Sequence, residues 1–223
     1  MKSFLSNYIT SVLISLVPGF VMLTRVVGRV GSTWLVAAVG GGGWLLALVL
    51  RVPLLVLLQT LTPGIIYLVA ASLLAGVFEE SIRSLMLRAA ILKSGRGGFL
   101  ALGLGWGLTE ALLVYAVPVS LSASVYGYDW VDLLPGALER NSAILIHLSL
   151  TVLLSKNPRS YRLLATSAIL HSVSNLVAIV ASLVLENIWL VELVIAMVSA
   201  LLFVGIVMPM FKAFKKSYSS QSG

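Results

Sequence analysis

PGIIYLVAASLLAGVFEESIR, residues 63–83, is the stretch around which the chain is organised. From Pro63 to Phe78 no residue is charged, and then Glu79, Glu80 and Arg83 follow within five positions. The apolar part reads as membrane-spanning helix. A charge at membrane depth costs about 2.5–3.5 kcal/mol on insertion scales, so it persists mostly where it pairs or does chemistry. On a helix Glu79 is four residues from Arg83 and Glu80 three, so one guanidinium reaches either acid. Neighbouring residues diverge by about 100° around the axis, so the two acids face different surroundings. The pattern predicts one acid held by Arg83 and the other free to act.

The composition agrees with a membrane chain. Of 223 residues 59% are hydrophobic and 10% charged, and the mean hydropathy is +1.05. An all-α polytopic membrane protein follows, not a soluble domain. The net charge of +7 does not point to nucleic acid, because the basic residues sit at the ends of apolar segments, where cytoplasmic loops carry them. With no cysteine, thiol nucleophiles, disulfides and thiolate metal sites are excluded. The first apolar run lacks a small-residue cleavage site and reads as a retained span.

Seven segments reach the roughly 20 residues that a span needs: about 4–24, 33–58, 63–87, 98–118, 136–155, 160–184 and 188–211. Eleven basic residues, from Arg25 and Arg29 to Lys215 and Lys216, fall on one side. The seven transmembrane helices therefore run from an outside N-terminus to a cytoplasmic C-terminus. Residues 1–216 form one transmembrane domain of a multi-pass cell-membrane protein, and 217–223 a polar, disordered tail. Pro18 and Pro53 suggest kinks. Gly40 to Gly43, and Gly103, Gly105 and Gly107, suggest close helix packing. Arg51 has no evident partner, and Glu139 with Arg140 reads as a pair at the outer boundary.

Four further polar residues lie inside spans: Glu110, His147, His171 and Asn175. At about 1.5 Å per residue, Glu80, Glu110, His147 and His171 come to about 12–18 Å from the cytoplasmic ends of four different helices. A shared wet cavity in the cytoplasmic half accounts for that coincidence. Asn175 is one turn from His171 and can orient the imidazole or stabilise an oxyanion. Ser167, Ser172 and Ser174 flank His171, but membrane-helix hydroxyls ordinarily bond their own backbone. A carboxylate and an imidazole in such a cavity suit activation of water against an amide. No His-Glu-x-x-His helix or Gly-x-Ser-x-Gly element is present, and the one Gly-x-Asp, at 127–129, falls in an external loop. Glu80, Glu110, His147 and His171 could also hold zinc with a position left for water.

Glu-Glu-x-x-Arg at 79–83, Trp106-x-x-x-Glu110 and His171-x-x-x-Asn175, taken in order, resemble the glutamic intramembrane protease superfamily. That group includes the CAAX prenyl endopeptidases, the PrsW proteases and the APH subunit of gamma-secretase; the likeness is closest to YhfC-type membrane peptidases and covers about 63–180. It implies an intramembrane endopeptidase acting on a membrane-embedded or membrane-proximal substrate, without a cofactor. Glu80 or Glu79 would activate water, with Glu110, His171 and Asn175 around it and Arg83, His147 and Trp106 in support. CAAX endopeptidases have a histidine at the Glu110 position and PrsW proteins an aspartate at Asn175. Trp106 stands where YhfC proteins commonly have a histidine, which weakens a metal site. The alternatives are a non-catalytic scaffold or substrate-binding subunit and a zinc-dependent peptidase. A transporter is disfavoured by the lack of an inverted repeat.

Overall fold

A computed structural model describes residues 2–28, 31–62, 64–89, 96–126 and 128–210. The tail at 217–223, together with Lys212, Lys215 and Lys216, lies outside them. Among the described residues every regular element is helical. In order these are α1 (Lys2–Val27), α2 (Gly31–Leu61), α3 (Ile65–Arg88), α4 (Arg96–Glu110), α5 (Val117–Tyr126), α6 (Trp130–Ser155), α7 (Tyr161–Val184) and α8 (Ile188–Leu202). A π-helical turn, Ala111–Ala116, joins α4 to α5 in one span, and a second, Phe203–Val207, extends α8. Among the described residues seven helices are therefore long and apolar enough to cross a membrane, and the chain is an all-α polytopic membrane protein.

Lipid is as apolar as leucine, so small residues and polar contacts do much of the work of holding membrane helices together. The glycine runs serve that end. α2 stays helical through Gly40–Gly43 and through Pro53. A Cβ on Gly40 would meet the Leu102 carbonyl, and one on Gly105 the Ala37 carbonyl. α2 and α4 thus touch backbone to backbone. Gly107 stands close to α6, where a Cβ would meet the Cα of Ile144. α4 and α6 are the central helices, with α1, α2 and α8 around them, and α3 packs against α2 and α7.

One end of the bundle carries Arg25, Arg88, Lys156, Arg159 and Arg162. There Pro158 O accepts from Ser84 Oγ at 2.7 Å and Arg88 Nε at 2.8 Å, tying α3 to the α6–α7 turn. At the opposite end α6 begins six residues earlier than the sequence suggests, because Asp129 N donates to Asp132 Oδ2 at 3.1 Å and caps the helix. Arg140 is thereby ten residues inside the helix, not at its boundary.

Candidate functional site

α3 buries Ser72, Ala75, Gly76, Glu79, Glu80, Arg83 and Ser84. That three-and-four spacing makes one stripe, wide enough to hold both acids. Glu80 is wholly enclosed. Its Oε1 accepts from Arg83 Nη1 and from His171 Nδ1, the latter at 2.8 Å, and its Oε2 accepts from Ser167 Oγ at 2.6 Å. Glu79 is held by other partners. Arg51 Nη1 donates to Oε1 at 2.8 Å and Trp106 Nε1 to Oε2 at 3.1 Å. The expectation of one acid held by Arg83 and the other free is therefore corrected: Arg83 takes Glu80, and Arg51, 28 residues earlier, takes Glu79. Neither acid is free of a cation.

The network continues through the histidines. Arg83 Nη2 lies 2.9 Å from His147 Nδ1, and His147 Nε2 lies 2.5 Å from Glu110 Oε2. A guanidinium nitrogen can only donate, so Nδ1 carries the lone pair and Nε2 carries the proton given to Glu110. Glu110 Oε1 accepts from Arg140 Nη1 at 3.0 Å, and Arg140 also pairs with Glu139. The pair read as a boundary feature joins the cluster after all. The Arg83 guanidinium lies 4.3 Å from the centre of the Trp106 ring, a cation–π contact that adds to its burial. Three arginines and four acids at membrane depth are accounted for by mutual pairing.

His171 is placed differently from His147. Its Nδ1–H donates to Glu80, which leaves the Nε2 lone pair facing Glu79 Oε2 at 3.9 Å. That gap is too long for a direct hydrogen bond. The two imidazoles meet edge to face with centroids 5.3 Å apart.

A cavity of about 280 Å³ lies against this cluster, lined among others by Glu79, Glu110, Arg140, His147, His171 and Asn175. Glu80 does not line it. Of the two adjacent acids, Glu79 faces the open space and Glu80 stands behind His171. Asn175 lines the cavity without a hydrogen bond to His171 among the described residues, so it does not orient the ring here. A second space of about 320 Å³ shares Arg51, Ala75, Glu139, Asn175 and Ala178 with the first and reaches Leu55 and Leu68. Those residues lie toward the end of the bundle opposite the basic one. On the basic side Arg83, Trp106, Leu150 and Leu154 are fully enclosed. The four predicted groups do meet, but the open space extends from them away from the basic end, not into the cytoplasmic half as expected.

Comparison with protein-family models and with curated proteins finds no match.

Zinc can be weighed on the donor set. Glu79, His147 and His171 bring one ligand atom each within 4.8 Å of one another. This trio differs from the predicted foursome of Glu80, Glu110, His147 and His171: Glu79 takes the place of Glu80, which is turned away, and Glu110 is not among the three. His171 has the arrangement of a metal-binding histidine, with its second nitrogen on a carboxylate. His147 does not: Nδ1 accepts from Arg83 and Nε2 donates to Glu110. A cation there would displace one of those bonds beside a buried guanidinium. The residues as arranged do not fit zinc.

Ser167, Arg51, Arg140 and Trp44, which also lines the cavity, were not legible as site residues. For Arg51 and Arg140 a signal existed, since a charge in a span asks for a partner. Ser167 departs from the backbone-bonding expectation, whereas Ser174 follows it by donating to Leu170 O.

Proposed function

We propose that this chain is an intramembrane endopeptidase of the glutamic type, hydrolysing a peptide bond of a membrane-embedded or membrane-proximal substrate. The observation that carries the reading is the line Glu80–His171–Glu79, in which an imidazole held from behind by one carboxylate presents Nε2 to a second across 3.9 Å at a cavity wall. A water held between Glu79 Oε2 and His171 Nε2 loses a proton to Nε2 as its oxygen attacks the substrate carbonyl carbon. Glu80 fixes the tautomer and stabilises the imidazolium. The tetrahedral oxyanion draws on donors at the cavity wall, Asn175 and the Arg51 side chain among them. His171 then passes the proton to the leaving nitrogen as the C–N bond breaks, giving a carboxylic acid and an amine, and the acid then yields its proton to the amine. The water-activating role thus falls to Glu79 with His171, and Glu80 becomes the positioning acid. By the positive-inside bias the chain sits in the cell membrane with its basic end in the cytoplasm.

The test is cleavage of single-span peptides by the purified, reconstituted chain, read by mass spectrometry. Glu79→Gln should abolish product formation while the chain still folds, its thermal midpoint falling less than that of a variant lacking Arg83, because Gln still accepts from Arg51. Unchanged cleavage in that variant would sink the assignment.

A second reading, a non-catalytic scaffold or substrate-binding subunit, is favoured by one observation. Glu79, Glu80 and Glu110 are each paired with a different arginine, as in a purely structural ion-pair network. It predicts a stable complex with a second membrane protein and no cleavage.

A further inference from the structure

Among the described residues three buried side-chain nitrogens lack a hydrogen-bond partner: Trp44 Nε1, Arg51 Nε and Arg83 Nε. Arg83 does not line the cavity; Trp44 and Arg51 both do. They stand seven residues apart on α2, two turns along one face. A side chain on a helix leans toward the N-terminus, so the Arg51 guanidinium reaches back along α2 toward Trp44. Trp44 is 2% exposed, so bulk water does not satisfy its N–H. A buried N–H without an acceptor is costly in a native fold and signals an absent partner. The wall opposite, on α7, holds His171 and Asn175.

The missing partner has to be an acceptor. Its charge follows from the lining: Glu79, Glu110 and Glu139 outnumber Arg51 and Arg140, and Glu192 faces Glu139 and Arg140. A net acidic chamber disfavours a carboxylate or phosphate and tolerates a neutral carbonyl. The route is set by the second space, which continues between α2, α3 and α7 toward the end opposite the basic one, while on the basic side Arg83, Trp106, Leu150 and Leu154 are fully enclosed.

We propose that Trp44 and Arg51 form a docking wall on α2 for the backbone carbonyls of an uncharged, extended peptide segment, admitted from the end of the bundle opposite its basic face. The choice of a peptide as the neutral acceptor rests on the peptidase reading; the wall and its entry side do not. Docking on α2 leaves the far side of the segment turned toward His171.

The absence of native cysteine makes a clean test available. Ala178→Cys places one thiol where the two spaces meet, and Ala71→Cys, farther out on the same route, serves if the first variant does not fold. In sealed vesicles of known orientation, a membrane-impermeant maleimide should label the thiol from the face opposite the basic end. Labelling from the basic face alone overturns the entry side. In detergent, acetyl-Leu-Leu-Leu-amide should slow labelling, and acetyl-Leu-Leu-Leu carboxylate should do so less. Trp44→Phe and Arg51→Lys each remove one N–H while keeping the ring or the charge, and each should weaken protection about fivefold, the worth of one hydrogen bond. No protection in the parent, or full protection in both variants, overturns the docking wall. None of these readings needs cleavage, so failure here and failure of the peptidase assignment are separable.

Discussion

The Arg83 guanidinium donates to Nδ1 of His147 at 2.9 Å while also holding Glu80. One cation from α3 thereby sets the tautomer of a histidine on α6 and neutralises an acid on its own helix. His147 is left as a neutral donor to Glu110, and His171 is the imidazole with a lone pair turned to the cavity.

Removing that cation should be severe. Arg83→Met leaves Glu80 enclosed with no cation on its Oε1, and breaking such a pair costs about 3–5 kcal/mol. Thermal unfolding in detergent should show a large fall in midpoint. The double variant Glu80→Gln/Arg83→Met, which removes both charges, should recover part of the loss. Equal destabilisation of single and double variants would mean that the pair is not the cause.

The two adjacent acids should separate kinetically. Glu79→Gln removes the carboxylate that faces the cavity and should leave no measurable turnover. Glu80→Gln should cost about 10²–10⁴ in rate, the range of a general-base contribution, because His171 loses its orienting carboxylate without losing its place. The pattern to look for is a fall in kcat with KM nearly unchanged for Glu80→Gln. A Glu80→Gln enzyme deader than Glu79→Gln would reverse the roles.

Metal removal should have no effect. Because both nitrogens of His147 are already bonded, the chain purified without added metal should contain well under one zinc per molecule. Chelator treatment should leave both cleavage and thermal midpoint where they were. Stoichiometric zinc by elemental analysis, lost together with activity, would contradict the arrangement around His147.

The glycines allow a check on packing alone. Gly105→Ala drives a methyl into the Ala37 backbone, 2.9 Å from its Cα, and should destabilise by about 1–3 kcal/mol. Gly42→Ala meets nothing within 4 Å and should be neutral or stabilise by up to about 1 kcal/mol through helix propensity. If both behave alike, the close approach of α2 and α4 is not what holds them.

Hydropathy alone located all seven spans, though it missed the start of α6 by six residues, because a bilayer asks for an unbroken apolar length and little else. Depth counted from the helix ends also foretold that Glu80, Glu110, His147 and His171 would meet. What it missed has local causes. Starting α6 at 136 put Arg140 near the surface, whereas the Asp129–Asp132 cap starts it at Trp130 and carries Arg140 inward. Arg51 finds Glu79 across 28 residues, a contact for which no sequence spacing speaks. The choice between Glu79 and Glu80 turns on a 100° step around one helix, and only the position of α7, which brings His171 and Ser167 to Glu80, decides it.

The fully enclosed layer of Arg83, Trp106, Leu150 and Leu154 has a consequence for the membrane itself. A hydrated vestibule beside charged groups would short-circuit an ion gradient if it ran through. Four side chains without solvent exposure toward the basic end, the Arg83–Trp106 contact among them, would oppose such a leak while the cavity on the other side keeps its polar groups accessible.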